Sequence, residues 1–417
     1  ITGLGVLTPI GSTPAALWQA LRAGTPGVGP VRAFDASALP CRIAGELPDF
    51  VAKNLIEKHY RKSLNAMART VQLGVIAAQF GMQDAGLKKG DVRPDRIGIE
   101  FAAVMGATEL PDLARASKEA SAGVPRQPVD MDAWGRKGLP EVPPMWMLKY
   151  LPNMPACHAT ILYDIQGPSN TIIPNDAAGL LAAAEALRIV RRGAADVMLV
   201  GGGESKINPL SLSRFNAFAP LTHRNDLGPA AVRPFDRDAS GTCLGEAAAA
   251  FPLEELGHAK KRGAAILGEV VGAAAGLDRG RTGDGLARVI RNALTSAGIQ
   301  PSDVDHVNAH GLGVPELDRF EARGIGAVFG RSVPVFAPLS RFGNAGAGSG
   351  LVELACSLLA LKHGELPGTL NHEHPDPASP IAVHTGDPRP VTKPFAVKVS
   401  YTDLGQCAAV VVRRWEE

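Results

Sequence analysis

The stretch PNDAAGLLAAAEALRIVRRG (174–193) returns in altered form as GNAGAGSGLVELACSLLALKHG (343–364). Each begins with a polar residue in a small-residue turn, continues as an apolar helix of about four turns and closes on Gly. Leu180, Ala184, Leu187 and Val190 share one face of the first; Leu351, Ala355, Leu358 and Leu361 share one face of the second. A helix so rich in Ala and Leu needs cover on every side. Two of them in one chain predict a duplicated α/β unit with both helices buried centrally. Short β-branched runs alternating with helical stretches support a mainly parallel, helix-covered sheet.

ADVMLVGGGES (195–205) and AAAAFPLEEL (247–256) read as buried strands, LARVIRNALTSAG (286–298) as a helix, and VDHVNAHG (304–311) as a strand with a polar end. The join of the two halves falls near 260–264, which predicts an N-terminal half over 1–258 and a C-terminal half over 259–417. Residues 106–156, rich in Pro and Met, read as an excursion from the first half. At 417 residues and 45% apolar content the chain can bury a large core.

Lys+Arg at 43 against Asp+Glu at 41, with no long basic run, argues against a nucleic-acid partner. Five scattered cysteines without a CxxC pair suit a reducing compartment. No apolar run reaches membrane-spanning length. The expected setting is therefore the cytoplasm, with no membrane, metal or cofactor. Gly343, Gly346, Gly348 and Gly350 lack the GK[ST] ending of a phosphate loop. His363, His372 and His374 lack a fourth ligand at regular spacing.

Asp176 stands where a strand meets the first central helix. A cysteine there would be acidified by the helix end, whereas an aspartate is expected as a carboxylate satisfied by that end, or as an ordinary N-cap. His310 lies at a strand's carboxyl edge, where parallel sheets place functional groups. Asn344 leads the second central helix and can offer amide donors or serve as a turn residue. Lys53, Lys58, Arg61 and Lys62 form a modest basic patch, a solvated face on which an acidic carrier protein could dock.

Several ordered motifs go further. ITGLGVLTPIG looks like an opening strand and turn, and GPSNTIIPNDAAG matches GPS-x-x-I-x-x-A-C-A-x-G with Asp176 on the cysteine. RPFDRDASGTCLGEAAAAFPLEEL is close to RPFD-x-x-R-x-G-x-x-x-GEGAG-x-x-x-LEEL, retaining Arg233, Phe235, Asp236 and Glu246. VNAHGLGVPELDRFE follows NAHGTGTP-x-x-D-x-x-E, retaining His310, Pro315, Asp318 and Glu321. LSRFGNAGAGSG follows KS-x-x-GH-x-x-GAAG, with Leu339 on the lysine and Asn344 on the second histidine. Over essentially its whole length the chain resembles the β-ketoacyl-acyl-carrier-protein synthases of the thiolase-like fold, an acyltransferase family.

The resemblance implies a mechanism that this sequence departs from. In the family, cysteine carries an acyl chain while two histidines hold a malonyl thioester as it loses CO2. An acylated Asp176 would be a labile anhydride. Its charge would also repel a malonyl carboxylate by about 1–4 kcal/mol. The threonines that bond pantetheine are Leu312 and Val314, each forfeiting about 1 kcal/mol. The supporting lysine is Leu339, and the GFGG gate reads Thr402-Asp403-Leu404-Gly405.

The sequence therefore predicts a non-condensing paralogue, similar to chain-length-factor subunits of polyketide and polyene systems. Such a subunit pairs with an active, cysteine-bearing ketosynthase as a heterodimer, edge to edge through 171–173, and works with acyl-carrier protein. The alternatives are an enzyme using Asp176, His310 and Asn344 to decarboxylate or hydrolyse a carrier-bound thioester, and a structural homodimer. The initiation-type synthases, which use Cys-His-Asn, keep the enzyme alternative open, because His310 and Asn344 could pair as oxyanion donors.

Overall fold

The computed structural model describes residues 1–106, 108–124 and 127–416. The strands, in chain order, are β1 (Gly5–Leu7), β2 (Val28–Pro30), β3 (Ile43–Gly45), β4 (Ile97–Ala102), β5 (Ser169–Ile172), β6 (Val197–Ser205) and β7 (Leu244–Glu254). The second half adds β8 (Gly268–Leu277), β9 (Val304–Asn308), β10 (Pro334–Phe336), β11 (Glu365–Leu366), β12 (Ala382–Val383), β13 (Arg389–Pro390), β14 (Phe395–Tyr401) and β15 (Gln406–Arg414). One sheet runs β2-β3-β7-β6-β4-β5, with β1 on β7. The other runs β12-β10-β9-β14-β15-β8, and β11 pairs with β13 apart from both.

The two repeated stretches form the helices Ala178–Arg191 and Ser349–His363, which share a core with the inner faces of both sheets. A short 3-10 turn precedes each helix, Asn175–Ala177 and Gly346–Gly348. Each is followed by a glycine in the left-handed region, Gly193 at φ 69 and Gly364 at φ 71, where a Cβ would be strained. Contact between the helices needs Gly179, whose Cβ would lie 3.0 Å from Leu351. The outer face of the first sheet is covered by helices Arg69–Asp84 and Met154–Tyr163. That of the second is covered by Asp284–Ala297 and Pro315–Phe329. The layers are thus α/β/α/β/α.

Apart from residues 107, 125 and 126, which lie outside the described residues, the excursion over 106–156 forms helix Leu110–Ala120 and a series of short turns. It is not entirely peripheral. Residues 154–156 open helix Met154–Tyr163, and Ala156 and Ala159 are buried against the first sheet. Upstream, Met131, Leu139, Met145 and Met147 are exposed. No described helix is long and apolar enough to cross a membrane.

Strand β4 carries a charge inside the fold. Glu100 is buried, its Oε2 has no hydrogen-bond partner, and desolvation together with Glu185 pushes its carboxyl up to about 7. A raised carboxyl pKa means stability that is present below the ordinary value and lost as pH rises through 7. Glu100→Gln is therefore expected to raise the Tm at pH 8 and to leave it unchanged at pH 4. Thermal unfolding at the two pH values measures this.

Candidate functional site

The central helices aim their heads at one place. Asp176 lies inside the 3-10 turn Asn175–Ala177, and helix Ala178–Arg191 has no side-chain cap. The expectation that the helix end satisfies this carboxylate is not met. The side chain instead faces His310, with Oδ1 3.7 Å from Nε2, an ion-pair distance too long for a hydrogen bond. Asp176 is 14% exposed and His310 fully buried.

His310 follows β9 by two residues and is fixed from several sides. Its backbone N–H and that of Gly311 donate to the two oxygens of Glu321, at 2.7 and 2.9 Å. Its Nδ1 lies 3.2 Å from both oxygens of Glu353, on the second central helix. Tyr401, at the end of β14, meets the imidazole edge to face at 5.5 Å. Burial alone would lower the pKa of this ring. The Glu353 and Asp176 carboxylates outweigh burial and push it up to about 10, so His310 is an imidazolium at neutral pH.

Asp176 shows the reciprocal effect. Burial would raise its pKa, but His310, Lys206 and the Asn344 amide together hold it below the usual carboxylate range. Lys206, just beyond β6, is buried, with Nζ 3.5 Å from Asn344 Oδ1 and 5.0 Å over the Phe215 ring. Glu204 packs beside it and accepts from Ala347 N at 3.0 Å. Burial raises its carboxyl, and Lys206 opposes that rise in part. Gly346, at φ 51, is required here, because a Cβ would fall 1.9 Å from Glu204 Oε2 and 2.8 Å from Lys206 Nζ. Asn344 does not head the helix directly, since Ser349 begins it. Asn344 Oδ1 accepts from Gly346 N at 2.7 Å, the role of a turn residue.

The other residues singled out in the sequence divide into three groups. Glu246 chelates Arg69 through two 2.6 Å bonds, and Phe235, at φ 56, donates its N–H to Asp318 at 2.7 Å. Asp236 accepts from the backbone N–H of Asp238, Glu373 and His374 and pairs with Arg233, so these residues brace loops around the site. Leu312, Val314 and Leu339 are buried and apolar. Asp403 and Leu404 are exposed, Leu404 at 73%, on the turn between β14 and β15. The 403–404 pair thus forms an exposed hairpin tip, whereas Leu312 and Val314 are buried.

The histidine-rich loop is also dispersed. His363 stacks on Trp18 at 4.5 Å, and His372 bonds the Pro234 carbonyl. Asp236, Asp238 and His374 come within ligand distance of one another. The Arg233 and backbone bonds already occupy the Asp236 oxygens.

Sequence reading missed Glu353, Lys398, Lys206 and Tyr401. Lys398, on β14, is fully buried with its Nζ 2.5 Å from Glu353 Oε2. Glu353 had a usable signal, being the one acidic residue in the apolar run LVELACSLLALKH, and Lys398 had the same in FAVKVSY. Lys206 had none. The arrangement can hold an imidazolium and a carboxylate face to face and direct N–H donors at an oxygen. It is poorly suited to taking up a proton, because His310 already carries one and Asp176 is a weakened base.

Comparison with known proteins identifies the family. The family model of the β-ketoacyl synthase N-terminal domain matches residues 1–259, and that of the C-terminal domain matches residues 267–373. The chain is 32% identical over 425 residues to the 3-oxoacyl-[acyl-carrier-protein] synthase 2 of Synechocystis sp., covering 100% of this chain and 98% of that protein. Its structure is similar to the ishigamide ketosynthase/chain length factor, with TM-score 0.87, 27% identity and coverage of 100% of this chain and 98% of that one. It is also similar to a type II polyketide synthase ketosynthase solved in complex with its acyl-carrier protein, with TM-score 0.82, 25% identity and coverage of 100% and 98%. With both domain models matched in order and this fold, the chain belongs to the β-ketoacyl synthase family and has its thiolase-like α/β architecture.

Proposed function

We propose that this chain is a non-condensing ketosynthase paralogue that works as a chain-length-factor-like partner of an active, cysteine-bearing ketosynthase on acyl-carrier-protein substrates. The observation that carries this reading is the Asp176–His310 pair. The residue in the cysteine position is a carboxylate already paired with a buried imidazolium. It is a poor nucleophile, and its acyl derivative would be a short-lived anhydride. Likeness to a ketosynthase/chain length factor structure supports the same reading.

The surface supports it as well. β5 is the edge strand of its sheet, followed by Ile173 at 60% exposure. An uncovered edge next to exposed apolar side chains is a pairing surface. We expect intact-mass analysis of the isolated chain with acyl- and malonyl-carrier protein to find no covalent adduct and no elongated product. A cysteine-bearing synthase is expected to copurify with it and to supply condensation. An acylated form of the isolated chain followed by a lengthened product would refute the proposal.

A second reading, decarboxylation or hydrolysis of a carrier-bound thioester, draws on His310 Nε2, a buried donor with no hydrogen-bond partner. An N–H held on an imidazolium can receive an enolate or tetrahedral oxyanion. Asp176→Asn and His310→Ala, assayed separately, decide it: a matched fall in turnover supports this reading, and no turnover before mutation removes it.

A further inference from the structure

We propose that Lys398 is the positioning residue of this centre, aligning Glu353 on His310 from β14 in place of the lysine that the family pattern puts at Leu339. This deepens the reading above and rests on it only for the identity of the site.

The geometry is specific. Lys398 is fully buried and has three acceptors: Glu353 Oε2 at 2.5 Å, the Val399 carbonyl at 2.6 Å and the Asn308 carbonyl at 3.4 Å. Those carbonyls belong to β14 and β9, neighbours in the second sheet, so the ammonium is anchored to rigid backbone. Glu353 is also fully buried, and its side-chain partners are Lys398 and His310. A carboxylate held at one oxygen by an ammonium cannot rotate, which keeps both oxygens 3.2 Å from His310 Nδ1.

Leu339 is buried and apolar on the 3-10 turn Pro338–Arg341, which packs against the helix carrying Glu353. A lysine there would bring a second ammonium into the region that Lys398 already serves. With His310 and Lys398 already on Glu353, it would be a third cation around one buried carboxylate, and their mutual repulsion would grow. The loss at 339 and the gain at 398 therefore compensate each other. β14 acts on His310 twice, through the Lys398–Glu353 pair at its nitrogen and through Tyr401 at its ring.

The test titrates the His310 ring by NMR, assigned with His310→Gln, alongside thermal unfolding. The charged and titratable groups that face this region are Asp176, Glu353, Lys398, Tyr401, Glu321, Asp318 and Lys206. Lys398→Met removes a like charge, which by itself would raise the His310 midpoint; an unanchored Glu353 turning away from Nδ1 is expected to outweigh this, so that the midpoint and the Tm both fall. Adding Leu339→Lys is expected to recover at least half of that fall and of the loss in Tm. An unchanged midpoint in Lys398→Met, or a double variant no better than the single one, overturns the proposal.

If the single variant does not fold, the double variant decides. A folded protein with protonated His310 supports the proposal, and an unfolded one overturns it. Neither measurement involves a partner subunit, so this inference and the chain-length-factor reading fail independently.

Discussion

Glu353→Gln is expected to destabilise the protein by about 3–5 kcal/mol near neutral pH and to lower the titration midpoint of His310 by more than about one unit. The size follows from what the substitution leaves behind. Glu353 is the first of the raising influences on His310 and the ion-pair partner of Lys398. Glutamine has nearly the same shape but no charge, so two buried cations lose their shared anion. Asp176 remains, at 3.7 Å, to support the imidazolium.

The pH dependence has a definite sign. His310 is raised from 6.5 to about 10, so the stability it contributes is fully present below 6.5 and lost as pH rises through 10. The deficit of Glu353→Gln is accordingly largest near pH 6 and shrinks towards pH 10. Urea unfolding at pH 6, 8 and 10, compared with the unaltered protein, measures it. A deficit that stays constant over that range would show that His310 is not the group responsible.

The second large effect concerns the edge strand. If the proposed pairing with a cysteine-bearing synthase runs through β5, Thr171→Pro is expected to abolish copurification of that synthase while leaving the chain folded. The carbonyls of Pro168, just before β5, and of Ile172, at its end, accept from Ile99 N on β4 and from Ala103 N just beyond it. Alternation along a strand therefore turns the Thr171 N–H outward, where it bonds the side chain of its neighbour Asn170 at 2.9 Å. Proline at 171 removes a donor that the chain's own sheet does not use, and its ring obstructs an incoming strand.

Ile173→Asp is the complementary variant. A charge at an apolar contact of this exposure is expected to cost the complex about 2 kcal/mol or more, roughly a thirtyfold loss of affinity. Analytical ultracentrifugation of the mixed subunits reads both variants. Unimpaired assembly in both would place the contact elsewhere on the surface.

Much of this protein is legible along the chain because it is written locally. The two Ala- and Leu-rich helices, their glycine ends and the buried strands are patterns within about twenty residues, and hydrophobic periodicity reports such patterns directly. The ordered motifs around residues 176, 235, 310 and 339 likewise carry the family membership in their own letters. The aspartate at 176 needs no coordinates to be noticed.

What that aspartate experiences was decided only by folding. Its expected partner was the helix end, a neighbour in sequence. Its actual partners, His310 and Lys206, come from elements far along the chain, brought together where the two central helices point their heads. The same holds for Glu353 and Lys398, whose charges meet across a helix and a strand inside an apolar core. Local patterning governs which segments become helix or strand, because burial of one face is a property of spacing. The pairing of buried charges depends on distances of a few ångströms between segments that spacing does not relate, and only tertiary packing sets those distances.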